Sequence, residues 1–141
     1  MISRELAEAL KKAGLPWEPK QGDWFVAWEP PSREHNGHYI DELEIVLEPD
    51  WYIVKYMAQD IWLPSLSGLL AEIEARGYRW WMSKTMPMTD LATIGVSLYS
   101  AEELKRNTDK DTQCKHFESG STPEEAAGEA LLWVLEREGK A

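Results

Sequence analysis

Apolar residues recur along the chain with two periods, and each marks a type of element. Near the start, Leu6, Leu10 and Ala13 fall on one face of a helix. Ser3 can cap it, Gly14 can end it in the left-handed conformation, and Leu15 is the apolar residue after the cap. Pro16 and Pro19 bar continuation. A second stripe, Leu66, Leu69, Leu70 and Ile73, repeats at i, i+3, i+4 and i+7. Pro64 is expected in the first turn of that helix, Glu72 and Arg76 form an i,i+4 pair, and Gly77 ends it. Ser100 and Glu103 make a capping box for a short helix. Thr122, Pro123, Glu124 and Glu125 make another, opening a last helix that runs to about Glu138 with Gly139 closing it. Its stripe is Ala127, Ala130, Leu131, Val134 and Leu135, and Leu132 and Trp133 widen the apolar arc.

Between the helices the period shortens to two. Asp23–Trp28 is aromatic and β-branched, and in Tyr39–Leu47 the apolar Leu43, Ile45 and Leu47 alternate with Glu42 and Glu44. Trp51–Tyr56 reads as a third strand after the Glu48-Pro49-Asp50 turn. Tyr78–Met82 and Thr93–Tyr99 read as two more, with Val96 and Leu98 on one face and a loop over Ser83–Asp90. Asn107–Ser121 is polar and of mixed charge, and reads as a long loop. Three strands precede the second helix without a crossover, which argues against a doubly wound sheet. The expected fold is α+β, in a single globular domain over residues 1–141. An antiparallel sheet of four to five strands packs helices on one face.

Composition narrows the function. The 141 residues carry 15 Lys and Arg against 25 Asp and Glu, a net charge of −10. Nucleic-acid affinity comes from cations that neutralise phosphates, so nucleic acid is not an expected partner. Anionic membranes are disfavoured for the same reason. The longest uncharged runs, Ile61–Ala71 and Leu91–Ala101, are 11 residues each, too short to span a bilayer as a helix. The start, Met-Ile-Ser-Arg-Glu-Leu, has no apolar core of a secretory signal. The lone Cys114 fits a reducing cytoplasm.

Two segments carry a resemblance. Trp62-Leu63-Pro64-Ser65-Leu66-Ser67-Gly68-Leu69-Leu70 leading to Arg76-Gly77-Tyr78 is one; Ser121-Thr122-Pro123-Glu124-Glu125-Ala126-Ala127 leading to Leu131-Leu132-Trp133 is the other. Together, over about a quarter of the chain, they resemble small proteins encoded by bacterial phages and prophages. That group has no assigned activity and no catalytic residues to carry over. The resemblance implies a cytoplasmic accessory protein.

Candidate chemistry is sparse. His35-Asn36-Gly37-His38 is an H-x-x-H pair, and Cys114 and His116 could complete a four-ligand set. No standard zinc spacing is present, Asn36-Gly37 suits a turn, and no metal or other cofactor is assigned. Asn107, Asp109, Asp111 and Glu118 match positions 1, 3, 5 and 12 of a calcium loop, but Thr112 stands where the loop needs glycine. Cys114 with His116 two residues on has no further support as a catalytic pair. Glu29, Glu42, Glu44 and Asp50 are carboxylates near aromatics; strand alternation alone accounts for Glu42 and Glu44.

The unusual feature is eight tryptophans. Trp24 and Trp28 are an even number of positions apart on a strand, whereas Trp80 and Trp81 are adjacent and must point to opposite faces. Trp is seldom fully buried and is enriched at interface hot spots. The favoured reading is a non-enzymatic protein-interaction module with an acidic, Trp-rich surface, with Trp80, Trp81 and Trp133 as contacts. A second reading is a carbohydrate binder or hydrolase, with Trp24 and Trp28 stacking the sugar and Glu42 or Glu44 as acid. A third is acidic mimicry of nucleic acid toward a basic host protein. The wide apolar arc of the last helix must be covered on two sides, by loop residues or by a second copy in a homodimer.

Overall fold

Ser3 caps the first helix as its position suggests: its Oγ accepts the Leu6 N–H at 3.2 Å. Helix α1 (Arg4–Lys12) buries Leu6, Ala7 and Leu10, and Gly14, with φ of 97°, turns the chain out of it. The computed structural model describes residues 1–34, 36–46, 60–85, 93–106 and 113–139, with backbone alone at 41, 42 and 85. The strand expected over Trp51–Tyr56 lies outside the described residues.

Strands β1 (Trp24–Glu29), β2 (His38–Ile45) and β3 (Ile61–Leu63) form one antiparallel sheet in the order β2-β1-β3. Helix α2 (Leu66–Ala75) follows. Ser65 caps it by accepting the Gly68 N–H, so Pro64 precedes the helix instead of occupying its first turn. A side-chain hydroxyl at position 65 satisfies an end N–H that proline cannot. Strands β4 (Tyr78–Thr85), β5 (Thr93–Ser100) and β6 (His116–Gly120) form a second antiparallel sheet in the order β4-β5-β6. Helix α3 (Ala101–Arg106) sits between β5 and β6, with the Glu103 N–H on Ser100 Oγ. Helix α4 (Pro123–Gly139) opens with the Glu125 N–H on Thr122 Oγ1.

The α+β class and its antiparallel strands are as the sequence implies. Within that class, the described strands are shared between two three-stranded sheets. Strand β6 occupies part of the stretch expected to be loop, and β3 lies where no strand was expected.

The main core is shared between the sheets. Val26, Ile61 and Leu63 from the first, and Val96 and Leu98 from the second, join the buried faces of α1, α2 and α4 in one cluster. Helix α4 contacts α1, α2, β5 and β6, and its small residues let these neighbours approach closely. A Cβ at Gly128 would lie 2.6 Å from Leu6 Cδ2. The Ser3 N–H, on Glu125 Oε1 at 2.6 Å, ties the start of α1 to the start of α4.

Candidate interaction surface

Among the described residues, the main helix contacts to the second sheet come from α2, α3 and α4. Residues Val96 and Leu98 of β5 face that side and are fully buried. Alternation therefore directs Thr93, Gly95, Ser97 and Tyr99 to the opposite, outer side. On β4 the adjacent tryptophans part as expected. Trp80, paired with Leu98, packs against the core, and its Nε1 donates to Glu74 Oε1 on α2 at 2.9 Å. Trp81, paired with Ser97, is 68% exposed.

Strand β6 adds a residue that sequence reasoning missed. Phe117 pairs with Ser97 from the other side and is 49% exposed. Trp81, Ser97 and Phe117 thus make one row across the outer face, with the two aromatic Cα positions roughly 10 Å apart at ordinary strand spacing. The described outward positions are Arg79, Trp81 and Ser83 on β4, the four of β5, and Phe117 and Ser119 on β6. None is a carboxylate, although acids outnumber bases along the chain.

The other candidate tryptophans lie elsewhere. Trp133 stacks on the His116 ring at 4.3 Å and 7°, meets Tyr78 edge-on at 6.0 Å, and lies under the Arg137 guanidinium at 5.2 Å. The wide arc of α4 is thus lined within the chain, and Leu132 also packs against the core. Trp28 meets Tyr39 edge-on at 4.8 Å, and its backbone N–H donates to Asp60 Oδ1 at 2.7 Å. A register break lies between Val26 and Trp28. Trp24, 40% exposed, lines a cleft with Met1, Leu63 and Leu66. Trp17 stacks on Trp62 at 6.2 Å and 4°, beside Phe25, and donates its Nε1 to Asp23 Oδ2. Those two tryptophans build the second face of the first sheet.

Of the polar candidates, His38 pairs with Glu29 at 3.3 Å and His116 with Glu118 at 2.6 Å. Cys114 Sγ donates to the His116 carbonyl, so the thiol is directed at backbone and not at the imidazole. His35, Asp50, Asn107, Asp109 and Asp111 lie outside the described residues, as does the side chain of Glu42. Among the described residues no group of three or more His, Cys, Asp or Glu is placed to hold a metal ion. Glu44 stands opposite Phe25, four positions along the ladder from Glu29. No described helix is long and apolar enough to cross a membrane. Comparison with protein-family models, with curated proteins and with solved structures finds no match.

Proposed function

We propose that the chain is a non-enzymatic protein-interaction module, a phage-type accessory protein of the cytoplasm, whose contact surface is the outer face of β4-β5-β6. The observation that carries this reading is the row of Trp81 and Phe117, 68% and 49% exposed on a face without described carboxylates. Aromatic anchors flanked by Arg79 and Tyr99 have the composition of an interface centre, and the acidic body around them supplies a charged surround. A second copy is one partner this face suits. Two such faces can meet without opposing carboxylates, whereas the α4 arc is occupied within the chain.

The test compares the chain with a Trp81→Ala/Phe117→Ala variant of unchanged melting temperature. Light scattering at micromolar concentration reads self-association, and affinity capture from bacterial lysate reads other partners. A stoichiometric protein partner, or a dimer mass, that the double variant loses supports the reading. Identical behaviour of the two proteins, or retention on polysaccharide resins in place of a protein, overturns it.

A further inference from the structure

The geometry points to a second, independent site: a groove that binds a small phosphate, free or carried on an organic molecule. It is about 590 Å³ in volume and lies between the turn after α2, the β5–α3 junction, the lead into β6 and the end of α4. Four cations line it: Arg76 after α2, Lys105 in the last turn of α3, Lys115 before β6 and Arg137 near the end of α4. The chain holds only 15 cations in 141 residues, so four among ten lining residues is a marked local concentration.

Of the groove's four cations, Arg76 and Lys115 are ion-paired, whereas Lys105 and Arg137 are not paired among the described residues. Its two carboxylates already have partners, Glu102 on Arg106 at 2.6 Å and Glu103 on Lys115 at 2.7 Å. The Arg76 side chain is only 15% exposed; Nη1 donates to the Glu72 carbonyl and carboxylate, and Nε meets Glu138 at 3.3 Å. Those contacts fix the guanidinium plane, and Nη2 has no partner among the described residues. Arg137 is held over the Trp133 ring. Neither Arg137 nor Lys105 has a carboxylate partner among the described residues. Nη2 of Arg76, the Arg137 guanidinium and the exposed Lys105 ammonium suit phosphate oxygens, which take charge-assisted hydrogen bonds from such donors. The volume falls in the usual range for small-molecule sites, roughly 300–1,000 Å³. A long polyanion would also meet the acidic body, with its net charge of −10, while a small one need not.

Amide NMR titration with inorganic phosphate, pyrophosphate and adenosine monophosphate tests the site on the intact chain at low ionic strength. Saturable shifts are expected at Gly77, Ala101 and Lys105. A Lys105→Ala/Arg137→Gln variant should weaken binding by about tenfold or more through loss of two charge-assisted contacts. Lys105→Ala alone, at an exposed position, should weaken it without altering the circular dichroism. Tighter binding of adenosine monophosphate identifies an organic phosphate as the ligand class, and tighter binding of the inorganic anions identifies free phosphate. No saturable shift at millimolar probe overturns the proposal. So does undiminished binding by the variants, or shifts spread over lysines and arginines outside the groove.

Discussion

The Phe117 ring covers Gly95 on the outer face of the second sheet. A Cβ at position 95 would lie 2.5 Å from Phe117 Cε2 and 2.6 Å from Cζ. Glycine in a strand leaves a gap, and an aromatic side chain from the neighbouring strand fills it. Gly95→Ala should therefore rotate the half-exposed ring away. Alanine is favoured over glycine in a strand by roughly 0.5–1 kcal/mol, so stability should change by less than about 1 kcal/mol. Binding through this face should fall. Gly120→Ala is the contrasting case, because its Cβ would lie 2.7 Å from the Ala126 backbone nitrogen. Helix backbone cannot rotate aside, and urea unfolding should show a loss of about 1–3 kcal/mol.

Trp80 and Trp81 are neighbours with opposite expected phenotypes. Trp80→Ala removes a core-packed ring and the bond to Glu74, and should cost about 2–4 kcal/mol. Trp81→Ala, at a position 68% exposed, should leave stability within about 0.5 kcal/mol. Equal losses in denaturant unfolding would contradict the assignment of faces.

Asp60 is only 3% exposed, and its carboxylate accepts the Trp28 N–H beside the register break in β1. Asp60→Ala leaves that N–H without its acceptor and should cost about 1–3 kcal/mol. Asp60→Asn keeps an acceptor oxygen and should cost less. Thermal unfolding of the pair checks the order.

Burial raises the Glu129 carboxyl above its usual range, and repulsion from Glu118, Glu125 and Glu136 adds to the shift. A raised folded-state pKa means that the favourable contribution is complete below the unfolded value and is lost as pH rises through the folded one. At neutral pH the ionised side chain therefore opposes folding. Glu129→Gln should raise the melting temperature at pH 7, and the gain should shrink toward pH 4. A gain of equal size at both values would rule out ionisation as the cause.

What could be read in the sequence was local. The α1 stripe, the caps at Ser100 and Thr122 and the opposite directions of Trp80 and Trp81 depend on spacing within a few residues. Strand β6 was not legible because its inward positions are His116 and Glu118, so no apolar alternation marks it; pairing with β5 supplies the order. Strand β3 is three residues long, too short for any period to show. Phe117 was overlooked together with its strand. The exposure of Trp81 and the covering of Trp133 were also out of reach. Which face of a sheet receives helices, and which ring fits between His116 and Arg137, is settled by packing between segments far apart in sequence.

Helix α4 touches α1, α2, β5 and β6, and it follows all of them along the chain. During synthesis the ribosome releases these elements before the helix that joins them. The core can close only after α4 has left the exit tunnel, so folding should complete after translation of this region, with Leu6, Leu69 and Val96 awaiting their cover. A nascent chain stalled at Gly120 should be readily cleaved by protease, and one extended by a C-terminal linker that carries Gly139 clear of the tunnel should resist.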